Sequence, residues 1–214
     1  MTDEDLNRCW IKPNQNLHPV IYHTKGMVEY LVRILGRIPY LYCDFHGHSR
    51  RKNVFVYGCS RKYSWHEPDR SVPENPAEFL MIPHLIDHFN PTFSLSNCNF
   101  KVEKTRESTA RVTFWREFGV KQSYTLESTY CGMDQGPLSG YHINTSHLKE
   151  VGTSFCEALL CTDDETGWRL TLILDQTETE TGRTNSPLFH LVSQADDSYE
   201  TSDADDDDCS GEEI

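Results

Sequence analysis

Several things are missing from this sequence, and each absence removes a class of function. No two of the eight cysteines (9, 43, 59, 98, 131, 156, 161 and 209) form a CxxC pair, which argues against a structural zinc site built on paired thiolates. No basic segment followed by an apolar run and a small-residue cleavage site stands near the start, so neither a secretory signal nor a disulfide framework is expected. No apolar run approaches the ~20 residues that a membrane span needs. Basic charge is scarce: 20 Lys+Arg stand against 33 Asp+Glu, for a net charge of −13. Phosphate binding needs clustered Lys and Arg, so nucleic acid is not the expected partner. The expectation is a soluble, cytoplasmic protein of a reducing compartment, with free buried thiols.

What is present is enough for one core. The chain has 214 residues, 37% hydrophobic and 11% aromatic, the size of a single domain. Ten of the acidic residues fall between Gln194 and Ile214 with no basic residue among them, which leaves only −3 for the rest. Beyond about residue 176, Thr, Glu, Ser and Asp dominate, and so little apolar surface cannot offset chain entropy. The expected organisation is a folded domain over 1–175 and an acidic disordered tail over 176–214.

Apolar spacing predicts helices over Val20–Leu35, with Pro19 in the first turn and Gly36 at the end, over Ala77–Phe89, and over Thr145–Cys161. In the last, Thr145 or Ser146 is the expected cap, and Leu148, Val151, Phe155, Ala158 and Leu159 the apolar stripe. The near-continuous run Tyr40–Phe45 reads as a strand buried on both faces. Asn53–Tyr57, Thr109–Trp115 and Lys121–Glu127 read as further strands, with Glu117-Phe118-Gly119 as a turn and 60–76 as a loop. Residues 168–174 are a last strand candidate. Helices alternating with buried strands point to an α/β fold.

The residues with chemical potential cluster at strand ends. His46-Gly47-His48-Ser49 follows the strand 40–45, and ligand sites in α/β sheets lie at such carboxyl ends. A His there can present a ring nitrogen to a metal; the bland alternative is a polar loop. Glu127 closes the strand 121–127, where a carboxylate can act as general base or merely be solvated. Asn7 and Arg8 can together hold a carboxylate, or be an ordinary surface pair. His147-Leu148-Lys149-Glu150 matches an HxxE ligand spacing, but it lies within a helix whose stripe already explains it as packing.

Taken together, the segments Asp5-Leu6-Asn7-Arg8-Cys9-Trp10, His18 to Lys25, Tyr42 to Gly58, Ser96 to Lys101 and Ser123 to Thr129 resemble the cytosolic carboxypeptidases, the tubulin-deglutamylase branch of the M14 zinc carboxypeptidases. The resemblance runs from residue 5 to about 161. It implies a mixed central sheet flanked by helices, of which this chain is the C-terminal half. It implies zinc as cofactor with His46 as one ligand, Asn7 and Arg8 on the substrate's C-terminal carboxylate, and Glu127 as general base. The family removes glutamates from acidic tails such as those of tubulin. Its HxxE ligands lie upstream of the DLNR segment, where only four residues stand here, so two zinc ligands are expected to be missing and the polypeptide to be a fragment. An inactive fragment or an acidic-tail-binding module is therefore the alternative. Lys104, Arg106, Arg111 and Arg116 are candidate partners for a glutamate side chain, and the acidic tail is a candidate pseudo-substrate.

Overall fold

A computed structural model describes residues 4–162. The strand expected at 168–174, the acidic tail and the boundary at 175 lie outside the described residues. Helix α1, Pro19–Glu29, starts with Pro19 in its first turn, passes into a π-helical turn over Tyr30–Ile34, and ends at Gly36 with φ +63°. Strand β1 is Leu41–His48 and β2 is Val54–Tyr57. The short helix α2, Glu67–Arg70, sits in the segment expected to be loop, and α3 occupies the expected Ala77–Phe89. Helix α4 is Ala110–Phe118, β3 is Gln122–Thr129, and α5 is Thr145–Cys161.

The strand expected at Thr109–Trp115 is thus a helix. Thr109 caps it by accepting from the Val112 amide, and Gly119, at φ +74°, closes it in the left-handed conformation. Its β-branched and aromatic residues favour a strand by propensity, and seven of its nine residues are buried, including Arg111 and Thr113. A short helix covered nearly all round has no polar face to betray its period, and tertiary packing overrides propensity.

The strand order is β1-β3-β2, with β1 parallel and β2 antiparallel to β3. Register and alternation assign the two faces. On one, Val54, Val56, Tyr124 and Leu126 pack with α3 and α5 into the main core, and the Tyr124 hydroxyl donates to the Phe79 carbonyl at 2.9 Å. On the other, Tyr42 stacks on Phe114 of α4 at 4.0 Å, and Ser123 donates to the Arg111 carbonyl at 2.7 Å. Buried Lys25 ties the amino-terminal segment to this second layer, donating to the Trp10 and Ile11 carbonyls and pairing with Glu117 at 2.8 Å.

Three smaller expectations change. Asn144, not Thr145 or Ser146, caps α5, in a capping box whose other half is His147. His147 therefore serves the helix end rather than an HxxE site. Leu148 is 45% exposed and falls outside the stripe that buries Val151, Phe155 and Ala158. All seven described cysteines are free, but only Cys59 and Cys98 are buried; Cys131 and Cys156 are exposed.

Candidate functional site

The motif around His46 lies inside β1 rather than after it, because the strand runs on to His48. Glu127 likewise sits two residues before the end of β3. The parallel register makes His46 and Glu127 direct neighbours on adjacent strands. Both project from the α4 face near the carboxyl ends of parallel strands, where ligand sites of such sheets collect. Phe55 of β2 is the opposite neighbour of Glu127, so that side of the carboxylate is lined by an aromatic ring.

Glu127 is 8% exposed, and its Oε2 is buried with no hydrogen-bond partner. Burial pushes its carboxyl above the usual range; His46, Arg111 and Arg106 pull it down and Asp44 pushes it up, and burial prevails. A raised carboxyl is what a proton acceptor working near neutral pH requires. His46 lies 4.0 Å by Nδ1 from Glu127 Oε1 and 3.2 Å by Nε2 from Asp44 Oδ2. The Asp44 hydrogen bond raises the His46 imidazole, against the lowering effect of burial.

Asn7 and Arg8 form a 3-10 turn that Asp5 caps. Asn7 Oδ1 accepts from the Ala110 amide at 3.0 Å, fastening the turn to the start of α4 and leaving the Asn7 NH2 group as a donor. Arg8 is exposed and pairs with Asp5 at 3.2 Å. Asp5 also acts on the His46 imidazole through its charge. The fold thus pairs His46 with Glu127 across β1 and β3 and fastens the Asn7–Arg8 turn to the start of α4.

The basic set separates. Arg116 is committed to Asp69 at 2.9 Å and approaches Glu107 at 3.8 Å, and Lys104 lies over the Trp65 ring. Arg106 and Arg111 both act on the Glu127 charge. Arg111, 6% exposed, donates to the Gly58 carbonyl and lies 5.9 Å from the Tyr57 ring centre. Asp44 escaped the sequence reading. The signal was available: in a strand, Asp-x-His puts carboxylate and imidazole on one face.

Among the described residues no group of three or more His, Cys, Asp or Glu converges into a metal site. What this segment offers is one imidazole, together with two unpartnered buried carboxylate oxygens, Glu127 Oε2 and Asp44 Oδ1. That donor chemistry fits one corner of a metal centre, since a buried carboxylate oxygen without a partner is costly unless a cation or water meets it.

No protein-family model matches the chain. It is 51% identical over 164 residues to cytosolic carboxypeptidase 1 of Mus musculus, an alignment covering 75% of this chain and 13% of that protein. It is 47% identical over 161 residues to mouse cytosolic carboxypeptidase 4, covering 73% and 14%. The fold matches a metallo-carboxypeptidase from Burkholderia cenocepacia with a TM-score of 0.57 at 19% identity, over 76% of this chain and 39% of that one. No helix among the described residues is long and apolar enough to cross a membrane. The chain belongs to the cytosolic carboxypeptidase family and spans about one eighth of the length of the two mouse relatives.

Proposed function

We propose that this segment carries the general base, one metal ligand and the terminal-carboxylate clamp of a cytoplasmic zinc carboxypeptidase that removes C-terminal or side-chain glutamates from acidic protein tails such as those of tubulin. The observation that carries the reading is the pairing of His46 across β1 and β3 with a buried Glu127 whose Oε2 has no hydrogen-bond partner.

His46 would hold the zinc together with ligands outside the described residues. A bound zinc supplies Lewis acidity toward the scissile carbonyl and lowers the pKa of water. Arg8, exchanging Asp5 for the substrate, presents two parallel N–H donors to the terminal carboxylate, and the Asn7 NH2 adds a third. Glu127 accepts the proton of the attacking water and returns it to the departing amine. Its burial keeps it basic enough to do so. A glutamate side chain in the pocket needs a cation, and Arg106 and Arg111 are the two whose charge already reaches Glu127.

A second reading, a non-catalytic module that binds acidic tails, draws on the absence of a complete ligand set among the described residues. A chimera separates the two: residues 5–161 replace the aligned segment of mouse cytosolic carboxypeptidase 1, and glutamate release from an acidic-tail peptide is followed. The enzyme reading expects turnover, reduced at least ~100-fold by Glu127→Gln, in line with the usual contribution of a general base. An inactive but folded chimera that still binds the peptide supports the module. Undiminished turnover in Glu127→Gln removes Glu127 from the mechanism.

A further inference from the structure

His46 stands on the exposed side of the sheet, with 37% of its side chain open to solvent. Two free side-chain torsions and two ring nitrogens give such an imidazole many orientations and two neutral tautomers. Only one arrangement is useful to an acceptor role, with a bare nitrogen facing the Glu127 cleft. Something must select it.

Asp44 is two residues upstream in β1 and therefore on the same face. Its Oδ2 is 3.2 Å from His46 Nε2, within hydrogen-bonding distance. Its side chain is mostly buried, its Oδ1 has no close hydrogen-bond partner, and the Tyr42 hydroxyl lies near enough to feel it. Keeping a carboxylate half-satisfied in this position costs free energy that a purely structural residue would not need to impose. Glu127, at 4.0 Å from Nδ1, is too distant for a hydrogen bond in this arrangement. The carboxylate can only accept, so a neutral ring that pairs with it through Nε2 carries its proton there.

We propose that Asp44 is the positioning residue for His46: it accepts the Nε2 proton, fixes that tautomer, and leaves Nδ1 bare and turned to Glu127. The assignment itself needs no metal. Its consequence rests on the reading above that His46 is a ligand, because a metal takes a deprotonated nitrogen and the outer carboxylate sets which one is offered. The role assigned to Asp44 is exercised through His46.

The test is the nitrogen spectrum of His46 in the full chain, labelled with 15N and held in mildly alkaline buffer where the ring is neutral. The expected result is a pyrrole-type signal at Nε2 and a pyridine-type signal at Nδ1. Asp44→Ala should lose that selection, and Asp44→Asn, which keeps an acceptor oxygen, should retain it. A wild-type ring protonated at Nδ1 overturns the proposal without needing any variant, and so does an Nε2–H tautomer that persists in Asp44→Ala. In the chimera, Asp44→Ala should weaken zinc binding by about 10–100-fold, the usual effect of removing an outer-sphere partner, and Asp44→Asn should recover most of it. In the zinc-loaded chimera, a His46 with the expected tautomer whose Nδ1 signal ignores the metal would instead sink the ligand reading and leave the Asp44 assignment standing.

Discussion

The two parallel strands that meet at the site live in different surroundings. Every residue of β3 except Ser128 is buried, while no residue of β1 is, and Phe45, His46 and Gly47 are exposed. In the stretch of chain that precedes β1, Tyr30, Ile34, Leu35, Ile38 and Tyr40 also carry large exposed apolar surface. The site straddles this boundary. Glu127 comes from the strand locked on both faces, so its position follows from packing and its carboxyl is desolvated. His46 comes from the half-open strand, and its orientation depends on a specific neighbour, Asp44. One half of the pair is held by the core and the other by its contact with a carboxylate.

The sharpest way to break that contrast is to truncate one aromatic in each region. Phe55, fully buried beside Glu127, should cost roughly 3–5 kcal/mol on change to alanine. Phe45, 56% exposed and meeting the Phe155 ring edge-on, should cost about 1 kcal/mol. Urea unfolding reads both; equal losses would mean that β1 is as deeply packed as the β2–β3 side of the sheet.

Next in size is the cluster behind α4. Asp69 accepts from Ser64 at 2.5 Å and from Arg116 at 2.9 Å and 3.2 Å. Burial alone would raise its carboxyl, but these partners outweigh burial and hold it below its ordinary value. A depressed carboxyl stabilises the fold above the unfolded aspartate value and loses that contribution as pH falls through the folded one. Asp69→Asn should therefore cost about 1.5–3 kcal/mol at neutral pH and flatten the loss of stability below about pH 4. An unchanged acid limb would contradict the assignment.

Two glycines sharpen the comparison further. A methyl group at Gly132 would lie 2.6 Å from the Tyr141 backbone oxygen, whereas at Gly47 it meets the ring of Tyr130, a side chain 71% exposed and able to swing aside. Gly132→Ala should cost about 1–3 kcal/mol and Gly47→Ala distinctly less, by thermal unfolding. The smallest effect has the opposite sign. Glu127 is raised by burial, so its neutral form favours the fold below the unfolded glutamate value, and that advantage fades as pH rises through the folded one. Glu127→Gln should stabilise by up to about 1 kcal/mol at neutral pH, with the gain vanishing in acid.

Much of this was legible in the sequence, and the failures have physical causes. Ala77–Phe89 and Thr145–Cys161 were readable because long helices with an apolar stripe announce their period. Helix α4 was not, because it is buried nearly all round and rich in β-branched and aromatic residues. The run Tyr40–Phe45 was recognisable as a strand but its end was misplaced: polar His46 and His48 belong to β1 because the strand lies half open, and a pattern tuned to two buried faces stops at the first polar residue. His46, Glu127, Asn7 and Arg8 were each individually weak signals; the β1–β3 register pairs the first two, and the Asn7–Ala110 hydrogen bond fixes the turn that carries the others. The four basic residues could not be ranked without Asp69 and Trp65, which occupy two of them.

The central claim is that this segment brings one metal ligand and a separate proton acceptor to a shared site. Zinc content of the purified chimera, measured in parallel for His46→Ala and Glu127→Gln, tests it most directly. The account predicts stoichiometric zinc in the parent, loss of zinc in His46→Ala, and zinc retained without turnover in Glu127→Gln. Zinc retained in a folded His46→Ala chimera, or lost in Glu127→Gln, would contradict it.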